Sequence, residues 1–251
     1  MNARQKPPKP LGGKVYGSIP HLLGSKLGPG DHHVHEGQHR IATEKTRDKH
    51  DIVIVQEKYD GSNVAIAKLN GQILALTRAG YLASTSPWEQ HHYFAKWVEK
   101  LKDKFDVLLS EGDRVCGEWL MQAHGIKYEF SDNGGPLVLF DYFSGVERLS
   151  FHDFYSEVLP ITLFAPIVLP RTWVDKFAIG IDEAQEIINA EDHNLPIDAV
   201  SDLPEGLIYR IERNGKLDFI AKWVRTDFET GKYLPEISGN DPVWNYDPKL
   251  I

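Results

Sequence analysis

The sharpest change of character in the chain is an apolar run, Ile52-Val53-Ile54-Val55, that gives way to Gln56-Glu57-Lys58-Tyr59-Asp60-Gly61-Ser62. The run predicts a strand, and Gly61-Ser62 the turn that ends it. Two further segments, Val64–Lys68 and Ile73–Thr77, flank Asn70-Gly71 and predict a hairpin closed by a two-residue turn. Downstream, Phe94, Trp97, Val98, Leu101, Phe105 and Leu108 recur at helical spacing. Pro87 is predicted to open that helix, with Ser86 as its N-cap. This stripe reads as core, not as a base-stacking platform. Val115–Leu120 and Leu137–Tyr142 read as buried strands, and Asp182–Glu191 as a short acidic helix with a solvated face. Gly206–Glu212 and Leu217–Val224 predict a second hairpin, around Asn214-Gly215. Antiparallel strands with helices set to the outside predict an α+β fold, antiparallel sheets flanked by helices around a cleft.

The first fifty residues lack this patterning. Residues 1–14 are rich in Pro and Lys and read as a flexible arm. Tyr16–Lys45 is rich in Gly, His and Pro, and forms the bulk of a leader, 15–50, to a single domain spanning 15–251. Within it, Gly24-Ser25-Lys26-Leu27-Gly28-Pro29-Gly30-Asp31 suits either a structural loop or one whose backbone amides meet phosphate. His32, His33, His35 and His39 invite a metal reading, but no Cys or second His cluster stands at ligand spacing, so a solvated segment is the expectation. A net charge of −8 argues against a non-specific nucleic-acid coat protein and still leaves room for a local basic groove. The acids gather in Asp182–Asp202 and after Asp227. One cysteine, Cys116, excludes an internal disulfide and suits a reducing compartment, the cytoplasm. No apolar run approaches the roughly 20 residues that span a bilayer, and the amino terminus has no secretion-signal core. Nothing in the pattern fixes an oligomeric state.

Lys58 is the first candidate for chemistry. A lysine at a strand end, flanked by Glu57 and Asp60 and next to a glycine, can act as a nucleophile once deprotonated; the plain alternative is a surface lysine before a tight turn. Five later segments carry residues of similar promise: Thr77-Arg78-Ala79-Gly80, Gly117-Glu118-Trp119-Leu120, Leu139-Phe140-Asp141-Tyr142, Glu205-Gly206-Leu207-Ile208-Tyr209-Arg210 and Ala221-Lys222-Trp223. With Lys58-Tyr59-Asp60-Gly61 they resemble, in order, the six motifs of the covalent nucleotidyltransferases, the superfamily of DNA ligases, RNA ligases and mRNA capping enzymes. Glu57-Lys58-x-x-Gly61-Ser62-Asn63, and Gly125-Ile126 ahead of Tyr128, resemble the RNA-ligase-2-like branch most closely.

The resemblance implies an ATP-dependent RNA ligase built on a nucleotidyltransferase domain. Lys58 would attack the α-phosphate of ATP, and the AMP would pass to a 5′-phosphate end, where a 3′-hydroxyl displaces it. Lys58 and Lys222 are the implied catalytic pair, with Lys222 and a metal expected to depress the Lys58 pKa. The implied nucleotide-binding set is Glu57, Lys58, Asn63, Arg78, Glu118, Phe140, Glu205 and Lys222. Glu118 would meet the ribose, Phe140 the adenine face unless it is ordinary core, and Glu205 a Mg²⁺ (or Mn²⁺) ion. The partners implied are RNA ends, including those of a nicked duplex. Other polynucleotide ligases, a GTP-using capping enzyme, and an RNA-end-binding protein with weak adenylylation are the alternatives. The last motif departs from the family, which usually holds two lysines one residue apart: Lys222 has Ile220 before it and Val224 after it, leaving Arg225 or Lys216 as candidates for the second cation. Too few residues follow Lys222 for a carboxy-terminal oligonucleotide-binding or helical domain, so the grip on RNA is expected from the Tyr16–Lys45 leader, from a dimer or from another protein; the six motifs all lie after residue 54, which leaves the leader free to contact RNA.

Overall fold

A computed structural model describes residues 7–131, 134–190, 197–199 and 203–251. Along the chain the strands are β1 (Asp51–Lys58), β2 (Ser62–Leu69), β3 (Gln72–Thr77), β4 (Arg114–Trp119), β5 (Tyr128–Phe130), β6 (Leu137–Ser144), β7 (Glu147–Arg148), β8 (Ile167–Val168), β9 (Thr172–Asp175), β10 (Ile197–Ala199), β11 (Gly206–Arg213) and β12 (Lys216–Val224). The helices are α1 (Glu36–Thr43), α2 (Glu89–Lys100), α3 (Lys102–Leu108), α4 (Phe151–Thr162), α5 (Ile181–Ile188) and α6 (Pro235–Ser238). One sheet runs β12-β11-β1-β9 and a larger one β3-β2-β4-β6-β7, with β8 also on β6; β5 and β10 pair separately. All pairings are antiparallel except β6–β8. The fold is α+β, as the pattern predicts.

Both hairpins close on the expected residues. Asn70 and Gly71 have φ of 52° and 69°, and Asn214 and Gly215 of 52° and 73°, the two positive φ values that a two-residue turn on twisted strands requires. The aromatic stripe is core, packed on the larger sheet with Trp119, Leu137 and Leu139. It is carried by two helices, because Leu101 (φ −106°, ψ 10°) breaks the regular turn between α2 and α3. Helix α2 begins at Glu89 with Trp88 as N-cap, two residues later than expected: Ser86 Oγ lies 2.6 Å from His91 Nδ1 and accepts from Trp88 N at 3.3 Å, tying up the hydroxyl before the helix starts. Helix α5 ends at Ile188, and the rest of the predicted Asp182–Glu191 segment is not helical as far as it is described; position 191 lies outside the described residues. Its Ala184 and Ile188 are buried against Val53 and Leu207, so one face is core and not solvent.

The amino-terminal segment differs most from expectation. Lys222 N donates to Pro20 O (2.9 Å), Leu22 N to Lys222 O (2.8 Å) and Lys26 N to Val224 O (2.9 Å), so the leader adds a short parallel rung to the outer edge of β12. Leu22, Val34 and Ala42 share a core with Val53 and Tyr209. The described part of the expected arm is packed as well: a Cβ on Gly80 would fall 1.8 Å from Gly13 O, and Lys9 Nζ lies 4.8 Å from the centre of the Tyr81 ring. Residues 1–6 lie outside the described residues.

A buried ionic network joins the two larger sheets. Asp141 on β6 meets Arg210 on β11 at 3.1 Å and Arg148 on β7 at 3.0 Å, and accepts from the Tyr16 hydroxyl at 3.0 Å. Arg210 is completed by Glu212 at 2.7 Å. Two arginines against two carboxylates leave the network neutral, the condition for keeping it out of water.

Candidate functional site

A cleft opens between the two larger sheets, with Tyr16, Gly17 and Ile19 of the leader among its lining residues. Lys58 stands in it because β1 is an interior strand, hydrogen-bonded to β11 and β9, and ends there in register with Gly206. Gly61 lets the chain turn hard against β4: a Cβ would sit 2.5 Å from Trp119 O. Gly206 lets β11 approach β12 equally closely, since a Cβ there would meet Trp223 O at 1.9 Å. That approach sets Ile208 opposite Lys222, and puts Glu205 beside Lys58.

Lys58 Nζ donates to Glu205 Oε2. Burial alone would lower the ammonium pKa, but the carboxylates of Glu205, Glu118 and Asp60 outweigh it and the net shift is upward. The expected depression by Lys222 is therefore reversed here: three acids crowd the amine. The same crowding acts back on the acids. Burial pushes Glu118 up to about 8 and Glu205 to about 7, with Asp60 adding to both and Lys58 opposing. Glu118 Oε1 accepts from Gly61 N at 3.2 Å, and Asp60 Oδ2 accepts from Gly125 N at 2.5 Å.

Lys222 faces Asp31 of the leader at 3.6 Å. Burial lowers its pKa, Asp31 opposes the shift, and Lys58 and Arg78 add to it. Asp31 is fixed in turn by His21 Nε2 (2.9 Å) and Gly28 N (3.2 Å). The Gly24–Asp31 segment is thus a structural loop whose carboxylate reaches the site. Asn63 lines the cleft with its Oδ1 buried and unpartnered, an acceptor suited to a hydroxyl. Arg78 also lines it, donating to Gly17 O at 2.9 Å. Phe140 stands half-buried in the wall, edge-on to Tyr16 at 5.3 Å, and packs against the core cluster that Tyr16 shares with Ala65 and Phe143. Glu57 borders the cleft, but its carboxylate is paired with Arg171 at 3.3 Å.

Neither candidate for the second cation enters the cleft. Arg225 donates to Pro204 O and pairs with Asp227, and Lys216 starts β12 at its far end, opposite Arg213. Among the described residues no group of three or more His, Cys, Asp or Glu side chains is placed to hold a metal ion. The site fits a hydrated divalent ion bound by nucleotide phosphate with a carboxylate such as Glu205; the surplus of acid around Lys58 favours one. Asp31, His21, Tyr16 and Ile19 escaped the sequence reading, because nothing local in an unpatterned leader marks a residue that reaches across to β12. Asp60 lay inside the lysine motif and was readable as an acid beside the amine. No helix among the described residues is long and apolar enough to cross a membrane.

Several solved structures match the chain at low identity. An archaeal ATP-dependent RNA ligase (form 2) is 17% identical, with a TM-score of 0.49 over 84% of this chain and 48% of that one. Naegleria gruberi RNA ligase with PPi is 13% identical, with a TM-score of 0.47 over 76% and 53%. A variant of that ligase with ATP and Mn is 12% identical, with a TM-score of 0.48 over 90% and 64%. The chain spans about half the length of the first two. No curated protein matches it in sequence. The family model for RNA ligase matches residues 51–224, from the first residue of β1 to the last of β12. On that match, which takes in every strand of the two larger sheets and both hairpins, the chain belongs to the RNA ligase family.

Proposed function

We propose that this chain is an ATP-dependent RNA ligase that joins 5′-phosphate and 3′-hydroxyl ends through a lysyl-AMP and an adenylated RNA. What supports the reading is the convergence of segments far apart in sequence on one amine: Glu205, 147 residues from Lys58, is hydrogen-bonded to it. Lys58 Nζ is the nucleophile. It attacks the α-phosphorus, a P–N bond forms, the bond to the bridging oxygen breaks, and pyrophosphate leaves with that electron pair. Lys222 supplies positive charge to the α-phosphate as charge builds up. Asn63 Oδ1 accepts from a ribose hydroxyl, as does Glu118 when ionised. Phe140 offers a ring face or edge to adenine, and Arg78 binds phosphate at the outer end. Mg²⁺ or Mn²⁺, held near Glu205, would neutralise phosphate charge. The 5′-phosphate oxygen of the RNA then attacks the same phosphorus and Lys58 leaves; the 3′-hydroxyl of the second strand attacks the activated 5′-phosphorus and AMP departs.

The test is incubation with labelled ATP or GTP and a divalent metal, followed by sealing of 5′-phosphorylated RNA. An acid-labile AMP adduct is expected, absent in Lys58→Ala. Glu205→Ala and Lys222→Ala should each slow its formation at least about a hundredfold, the scale for losing one transition-state electrostatic contact. A wild-type level of adduct in Lys58→Ala, or a GMP adduct in place of AMP, would overturn the assignment.

A further inference from the structure

A second cavity adjoins the cleft and shares three of its residues, Asn63, Arg78 and Glu118. Its outer wall has a different chemistry. Trp88, half exposed, and Tyr81 stand beside the hydroxyls of Thr85 and Ser86, with His91 between. Burial holds His91 down at about 4, so it is neutral at physiological pH. Arg78 and Glu118, at the boundary with the cleft, are the charged side chains of this lining. Rings, hydroxyls and a neutral imidazole suit a base and a sugar; a terminal phosphate or a run of backbone phosphates would call for several cations. The end of RNA that carries no terminal phosphate is the 3′-hydroxyl end.

We propose that this cavity receives the 3′-terminal nucleoside of the acceptor strand, with its base stacked on Trp88 and its hydroxyl directed toward Arg78 and Asn63, where the two cavities meet. The proposal rests on the ligase reading for its role and on the wall chemistry for its ligand. Trp88 is well placed for stacking because the residue is 51% exposed while its backbone caps the start of α2.

The experiment has two arms. In the first, single-turnover sealing of a pre-adenylated RNA strand is measured against acceptor concentration for wild type, Trp88→Ala and Trp88→Phe. Trp88→Ala should raise the acceptor concentration for half-maximal rate about tenfold, the scale for one stacked base. Trp88→Phe should recover most of the loss, and lysine adenylylation and the donor-strand dependence should stay within about twofold. An unchanged acceptor dependence, or equal losses for donor and acceptor, would overturn the proposal. The second arm needs no catalysis: anisotropy of a short single-stranded RNA ending in a 3′-hydroxyl, beside one whose last nucleotide lacks its base. Trp88→Ala should weaken the first about tenfold and leave the second unchanged; equal effects on both would remove the base from this cavity. If wild type forms no AMP adduct while the second arm succeeds, the ligase reading fails and the nucleoside site stands.

Discussion

At Lys58 the governing fact is the balance of charge around one amine. Glu205, Glu118 and Asp60 together hold the ammonium above its ordinary pKa, against burial. A lysine in that state is stored as a cation and becomes a nucleophile only after losing a proton to the solvent or to a neighbouring acid. Its reactivity therefore increases with pH, and removing an acid moves that increase to lower pH. Glu205→Gln should shift the midpoint for labelling of Lys58 by an amine-acylating reagent, without nucleotide, below that of wild type; an equal or higher midpoint would show that Glu205 does not hold the proton on. The candidacy of Lys58 was legible because its motif is contiguous. The direction of its pKa was not, because Glu118 and Glu205 arrive from β4 and the start of β11. Gly206 makes the same point about backbone. Its place in a motif was visible, but its physical need was not: a Cβ would enter the space of Trp223 O. Gly206→Ala should force β11 from β12, displace Lys222 and slow adenylylation at least about tenfold, with a fall in melting temperature that an exposed Gly→Ala change such as that at Gly37 would not cause.

Among the elements, the leader behaves least as the pattern implies. A segment with no apolar period was expected to stand apart from the nucleotide pocket. It pairs with β12 through backbone groups, which leave no side-chain signature in the sequence, and seats Leu22, Val34 and Ala42 in the core. Deleting 15–45 should therefore abolish lysine adenylylation together with sealing, and lower the melting temperature by several degrees; adenylylation at a wild-type rate in a folded truncation would refute this. The strands and hairpins of 51–77 and 206–224 were legible because short apolar-rich segments bounded by Asn-Gly turns leave one register open. Helix α4 was not singled out, although Phe154, Val158 and Ile161 are buried at helical spacing: exposed Leu159, Leu163 and Phe164 blur the stripe, and Pro160 sits inside the helix.

Over the whole molecule, stability and site geometry depend on contacts between distant parts. The Asp141–Arg210 pair ties the two larger sheets across the cleft, and without Asp141 two arginines, Arg148 and Arg210, face one carboxylate, Glu212; Asp141→Ala should therefore lower stability by about 3–5 kcal/mol, the scale for an uncompensated buried charge, read from the midpoint of urea unfolding. Asp51 is a second ionic anchor: fully buried, it meets Arg47 and Arg213, each at 2.8 Å. Burial pushes its pKa up, and hydrogen bonds from Arg47 and Arg213 more than reverse the shift, so its folded pKa is depressed. Such a group stabilises the fold above its unfolded pKa, roughly 3.9, and the contribution disappears as pH falls through the folded value. Asp51→Asn should be clearly less stable than wild type at pH 7, with the gap closing below about pH 4; a constant gap would show that packing, not charge, is at stake. The rung between the leader and β12 has a consequence in time. Val224 N donates to the Ser25 hydroxyl across 199 residues. A chain emerging from the ribosome amino end first exposes the leader before β12, and this docking partner is made only after nearly the whole family segment has been synthesised. Contacts of that span form slowly, so during refolding the adenylylating activity should return after the fluorescence of the tryptophan-rich core.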